Sequence, residues 1–201
     1  MNPHPRKATV VSISPGLIAL VVVGVLVVLL LVWFTATFNK LVRQRNQVRA
    51  AWAQTDVQLK RRYDLIPNLV ETVKGYAKHE ASTLEAVTAA RTNAIAAQSR
   101  DVAGRAEAEN TLTASLGRLI ALGEAYPDLK ANQNFLQLQR ELAATEDKVA
   151  YARQFYNSAV QTINNTVQTM PSNLVAGITG FKAEQYFEAA GGERGPVQVR
   201  F

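Results

Sequence analysis

The sequence predicts an all-α protein, in which an N-terminal transmembrane helix is followed by an antiparallel helical bundle, four helices being the first choice. Three observations predict it. A long uncharged apolar stretch lies near the N-terminus. The rest is rich in Ala, Leu, Glu, Gln and Arg, the strong helix formers, with no proline between Pro67 and Pro127 or between Pro127 and Pro171. A seven-residue apolar repeat then runs through about five heptads before Pro171.

The apolar stretch comes first. Residues 8–39 carry no charge, and Leu17 to Phe34 is a nearly unbroken run of Leu, Val, Ile and Ala up to Trp33. At about 1.5 Å per residue this run spans roughly 27 Å, and Thr35 to Phe38 completes a hydrocarbon core of roughly 30 Å. A buried core helix would be shorter and polar on one face. A cleaved secretory signal is the closer competitor, but its apolar region would run about 7–15 residues, and Thr35-Ala36-Thr37 is a weak cleavage site. The organisation read from this is a short tail at 1–16, a transmembrane helix at 17–38, a bundle at 39–188 and a flexible tail at 189–201, where Gly191, Gly192, Gly195 and Pro196 cluster.

The first bundle helix continues the span. Phe38, Leu41, Val48, Trp52, Leu59 and Ile66 recur at helical spacing, with Arg45, Thr55 and Arg62 filling gaps in the stripe. Proline clashes with the carbonyl four residues back, so Pro67 is expected to end this helix in a chain reversal near Asp64 to Pro67; if it only kinks the helix, three helices remain. The second helix is expected to run to about Gln98, with Leu69, Val73, Tyr76, Leu84, Val87 and Ala94 inward. A shorter third carries Leu112, Leu116, Leu119 and Ile120 and ends around Gly123 and Pro127. The fourth holds the heptads, from Phe135 through Leu142, Val149, Tyr156 and Ile163 to Met170. Beyond Pro171 an apolar segment, Leu174 to Phe187, is expected to dock on the bundle or on the membrane surface.

Residues 38–91, FNKLVRQRNQVRAAWAQTDVQLKRRYDLIPNLVETVKGYAKHEASTLEAVTAAR, closely resemble the LemA family of bacterial membrane proteins. So do residues 126–157, YPDLKANQNFLQLQRELAATEDKVAYARQFYN, and the closing Gly180-Phe181 and Tyr186-Phe187-Glu188. The resemblance implies an N-terminal membrane helix and an antiparallel helical bundle, and it brings no catalytic residues. Thr55 stands where the family usually has Ile, which should loosen packing locally. Gene neighbourhoods common in the family suggest an alternative role as a regulatory partner of a membrane protease or envelope-stress system.

Few chemistries can be assembled from these residues. The absence of cysteine removes disulfides, thiol nucleophiles and Cys-ligated zinc together. His4 lies in the tail, and His79-Glu80 lacks the second histidine four residues on that a zincin needs, Thr83 standing there. Neither a nucleophile elbow nor dinucleotide or phosphate-loop spacing is found. No enzyme activity, cofactor or metal is expected.

The formal charge of +6 is concentrated near the span, since residues 1–62 hold nine Lys/Arg against the single acid Asp56. Lys40, Arg43, Arg45 and Arg49 follow the span directly and are candidates for lipid-headgroup contact; a solvated helix face is the bland version. Because basic residues hug the span, nucleic acid is not the expected partner. Four of them after the span against Arg6 and Lys7 before it place the bundle in the cytoplasm under the positive-inside rule. A second charged group, Lys60, Arg61, Arg62, Asp64, Glu71, Lys74 and Lys78, would be folded together by a reversal at Pro67, as an ion-pair cluster or a partner-docking surface. Arg45 and Arg62 on the inward stripe need partners, for which Glu141 and Glu146 are candidates. The resulting expectation is a single-pass protein of the bacterial cytoplasmic membrane that acts as a non-enzymatic interaction or scaffold protein, with self-association left open.

Overall fold

The structure, a computed structural model, describes residues 15–77 and 79–188. The expected flexible tail at 189–201, most of the N-terminal tail, and Lys78 lie outside the described residues. The fold is all-helical among the described residues: α1 (Pro15–Tyr76), α2 (Ala81–Ala96), α3 (Val102–Ala125), the single turn α4 (Pro127–Lys130), α5 (Gln133–Gln168) and α6 (Ser172–Thr179). Four long helices therefore form the bundle and two short ones complete it.

The expected reversal at Pro67 does not occur. α1 passes through Pro67 without interruption and turns only after Tyr76, so the second helix begins at Ala81. Two physical terms account for this. Leu69 and Val73 continue the stripe of Leu59, Tyr63 and Ile66 and are almost completely buried, each worth about 1.5–3 kcal/mol, against about 3 kcal/mol for an interior proline. The carbonyl orphaned by the missing Pro67 N–H is that of Tyr63, and Arg91 Nε on α2 donates to it at 2.8 Å. Replacing Arg91 with methionine is expected to cost about 1.5–3 kcal/mol, as for hydrogen bonds to charged groups. In a Pro67→Ala background, where residue 67 again donates to that carbonyl, the same replacement should cost distinctly less. Denaturant unfolding of the four variants reads this cycle; equal costs in both backgrounds would refute the compensation.

Side-chain pairings set the directions. Gln44 bonds Thr166, Arg62 bonds Glu146, and Trp52 packs on Tyr156, so α1 and α5 are antiparallel. Asp56 with Arg105 and Arg62 with Glu109 make α3 parallel to α1. α2 and α3 form a hairpin laid across the α1–α5 pair. The starts of α3 and α5 are capped where the chain reverses: Asp101 accepts from the Gly104 N–H at 3.1 Å, and Asn132 accepts from that of Phe135 at 3.0 Å. α3 is longer than expected because this cap starts it at Val102, before Gly104.

Two apolar clusters stack along the bundle. The distal one, farthest from the apolar stretch, is built from Leu59, Ile66, Leu69, Leu84, Val87, Leu112, Leu119, Phe135 and Leu142 on four helices. The proximal one holds Leu41, Val48, Ala51, Tyr156, Ile163, Val175 and Phe187, because α2 and α3 reach only part of the way back and α6 with the following chain replaces them. Thr55 does not leave its hydroxyl unpaired in this stripe, since it donates to the Ala51 carbonyl at 3.0 Å.

As expected, the segment after Pro171 docks on the bundle. Gly180, at φ 76, takes the left-handed conformation that ends α6 and releases an extended strap. Two asparagines one heptad apart on α5 hold the strap by both backbone groups of a residue. Asn164 accepts from the Glu184 N–H at 2.8 Å and donates to its carbonyl at 3.0 Å; Asn157 does the same for Phe187 at 2.8 and 3.1 Å. Seven helical residues and three extended ones both advance the chain by about 10 Å, which is why the two clamps align.

Candidate functional site

Each candidate cluster has a definite place. The unbroken α1 strings Lys60, Arg61, Asp64, Glu71 and Lys74 along about 21 Å of helix instead of folding them together. This corrects the expected ion-pair cluster. Glu71 and Lys74 approach to 3.9 Å, but both are well exposed, so the pair adds little. Arg61 also lies half a turn round the helix from Val70 at 100° per residue, on a different side from Lys74.

Arg62 has left the surface. Its guanidinium, 1 % exposed, meets the equally buried carboxylate of Glu109, the Glu146 Oε1 at 2.7 Å and the Thr113 hydroxyl at 2.9 Å. The Tyr63 hydroxyl donates to the other oxygen of Glu109. Beside it Arg105 pairs with Asp56 and lies 4.9 Å over the Trp52 ring, and Arg153 donates to Asn110 at 3.0 Å. A polar layer thus ties α1, α3 and α5 at the junction of the two apolar clusters. Glu146 was an anticipated partner; Glu109 and Arg105 were not. They continue the α3 stripe backwards from Leu112, Leu116 and Leu119 by steps of three and four, a signal present in the sequence.

Burial first, then the bond to Glu109, pushes the Tyr63 phenol well above the ordinary range, and burial pushes Tyr156 up to about 12. Both groups stay protonated in the fold at pH values where the unfolded chain loses its phenolic protons. Their stabilisation is therefore complete below the unfolded value of 10.0 and is lost as pH rises through the folded one. Denaturation midpoints are expected to fall from pH 10 to 12, and the fall should be shallower in the Tyr63→Phe, Tyr156→Phe double variant; identical slopes would contradict the assignment.

Near the span, Lys40, Arg43 and Arg49 are exposed, while Arg45 is half-buried with its guanidinium 4.8 Å over the Phe181 ring. Arg45 has found an aromatic partner instead of Glu141 or Glu146. Lys40 and Arg43 stand about 9–14 Å beyond Phe34, whereas Arg49 is about 22 Å away. Of these four, Lys40 and Arg43 thus lie nearest the apolar stretch and Arg49 farthest from it.

At the distal end a groove of about 630 Å³ opens between α1 and α2. Val70, Leu84, Ala89, Thr88 and Thr92 line it, together with the charged Lys74 and Glu85. It exists because the outward face of α2 carries small side chains. Of the charged residues singled out in the sequence that are among the described residues, Lys74 alone borders it. His79 is exposed, and its neighbour Glu80 accepts from the Tyr126 hydroxyl at 3.2 Å. No group of three or more His, Cys, Asp or Glu side chains is arranged to hold a metal among the described residues.

α1 is the one helix among the described residues long and apolar enough to cross a membrane, with a mean hydropathy of 3.3 over its most apolar window, none of which is buried by the fold. The LemA family pattern matches residues 51–201. The chain belongs to the LemA family. Protein LemA of Metamycoplasma hominis is 28 % identical over 138 residues, covering 69 % of this chain and 63 % of that protein. Magnetosome protein MamQ 2 of Paramagnetospirillum magneticum is 28 % identical over 195 residues, covering 85 % of this chain and 72 % of its own. Magnetosome protein MamQ of Magnetospirillum gryphiswaldense is 28 % identical over 188 residues, with 80 % and 69 % covered. The LemA-family chain thus shares most of its length with relatives bearing two different names.

Proposed function

We propose that this LemA-family protein is a non-enzymatic interaction protein of the bacterial cytoplasmic membrane, anchored by the apolar part of α1 with its bundle in the cytoplasm, and that a partner docks in the distal groove. One observation carries the reading: α1 runs unbroken from the apolar stretch to the groove, a rigid arm of about 60 Å from Phe34 to Tyr76. The occupant that fits is a helix of a partner protein. The groove lies between two helices and is lined by Val70, Leu84 and Ala89 together with Lys74 on α1 and Glu85 on α2, so an amphipathic helix with an acid and a base flanking its apolar stripe would match it.

The test is a photo-crosslinking residue at Ala89, in the groove, and at Val57, exposed elsewhere on α1, in native membranes. A defined adduct is expected at position 89 and not at 57, and Lys74→Glu should abolish it while Arg61→Glu leaves it intact. The same adduct at both positions, or loss with Arg61→Glu alone, would refute the groove. Turnover of a substrate by the purified protein, stopped by His79→Ala, would refute the non-enzymatic reading.

A further inference from the structure

The proximal end of the bundle carries an apolar surface that the fold does not cover. Met170, Leu174 and Ile178 are 78, 57 and 77 % exposed, at spacings of four residues that align Leu174 and Ile178 on one outer face of α6. The inner face of α6, Val175 and Ala176, is buried in the proximal cluster. α6 is therefore apolar on both sides, and packing against the bundle accounts for only one of them.

Its height along α1 says what meets the other. Phe34 packs against the cluster that contains Val175 and Ala176, and Phe38 meets Phe181 edge-on with ring centroids 6.1 Å apart. Pro15 to Phe34 measures about 30 Å as helix, the thickness of the hydrocarbon core. Trp33 and Phe34 then sit where aromatic side chains favour the membrane boundary, and α6 lies beside them. The sequence repeats the message. Residues 154–181 carry no charge, like residues 8–39, and Lys182 follows the one as Lys40 follows the other. The two uncharged stretches meet where the first one ends, Phe34 packing on the proximal cluster and Phe38 on Phe181, while the α5 part of the second lies beside Gln44 to Trp52.

We propose that α6 is a second membrane contact: its outer face, with Met170, Leu174 and Ile178, lies in the boundary between headgroups and acyl chains, while Lys40, Arg43 and Lys182 face lipid phosphates. This rests on the anchoring proposed above and adds to it. With the span alone, α1 and the bundle could tilt together in the bilayer. With α6 seated as well, the bilayer is held at two points, and the distal groove is kept at a fixed height and orientation. Apolar burial supplies the α6 contact and the cations add a salt-sensitive part.

The chain contains no cysteine, so single cysteines can be placed and spin-labelled in the full-length protein. Four sites suffice, reconstituted in vesicles of phosphatidylcholine and phosphatidylglycerol: Leu174→Cys and Ile178→Cys on α6, Val25→Cys in the span and Thr92→Cys at the distal groove. All four side chains are exposed, so the fold should survive each change. Collision rates with oxygen, which prefers lipid, and with a nickel chelate, which prefers water, then report depth. The expected oxygen-to-nickel ratio at 174 and 178 is several-fold above that at 92 and below that at 25. If 174 and 178 resemble 92 while 25 is deep, the α6 contact is refuted and the anchor stands. If 25 also resembles 92, the anchor has failed and the α6 contact with it. Spin–spin broadening at 174 or 178 that disappears on dilution with unlabelled protein would show a second copy covering the face, and would overturn the lipid assignment.

Discussion

Replacing Arg62 with methionine is expected to lower the unfolding free energy by about 3–5 kcal/mol, because it leaves a buried carboxylate without its counter-charge. Glu109 is 1 % exposed, and the Tyr63 hydroxyl alone would remain of the donors named above. Glu109→Leu should cost less, since Arg62 keeps Glu146, which is partly solvated, and the Thr113 hydroxyl. The double variant Arg62→Met, Glu109→Leu should cost far less than the sum, since two apolar side chains can fill the space of a buried ion pair at little net cost. Urea unfolding of the full chain in detergent, followed by helical circular dichroism, measures the cycle. Single costs that add to within about 0.5 kcal/mol would mean that the two groups are not coupled.

Tyr156→Ala is expected to cost about 3–5 kcal/mol, as for other buried aromatic truncations. The ring is 3 % exposed, packs 5.0 Å from Trp52 centroid to centroid, and its hydroxyl donates to the Gln185 carbonyl at 2.9 Å. The loss should not be uniform. The strap is held here by Tyr156, Asn157 and Asn164, so hydrogen exchange at the amides of Glu184 and Phe187 should accelerate before that of the distal cluster. Tyr156→Phe separates the two contributions: it keeps the ring and should forfeit only about 0.5–1.5 kcal/mol for one hydrogen bond. Equal costs for Ala and Phe would place the stability in the hydroxyl and refute the packing account.

The residues foreseen correctly were those whose burial follows from local periodicity. Leu142, Val149, Tyr156 and Ile163 lie on a heptad that needs no partner to be recognised, and all four are buried. Pro67 shows where local rules fail. A proline ends an isolated helix, but the side chains of Leu69 and Val73 gain more by remaining on the α1 stripe than the backbone loses, and Arg91, twenty-four residues on, satisfies the orphaned carbonyl. The misplaced turn then misassigned the charges from Lys60 to Lys74. The groove between α1 and α2 could not be foreseen once the boundary between those helices had been set too early.

By itself the sequence determined the helical class, the apolar stretch at the head of α1, the long α5 and the family, because each depends on composition, on period or on residues read in a row. Tertiary structure decided the rest. It paired Arg62 with Glu109 across 47 residues, turned Asn157 and Asn164 into clamps for the strap, and set α6 beside Phe34. These outcomes depend on which distant segment arrives at the same height of the bundle. That height is set by where α1 finally turns, a balance between burial over a whole helix face and the strain at one proline.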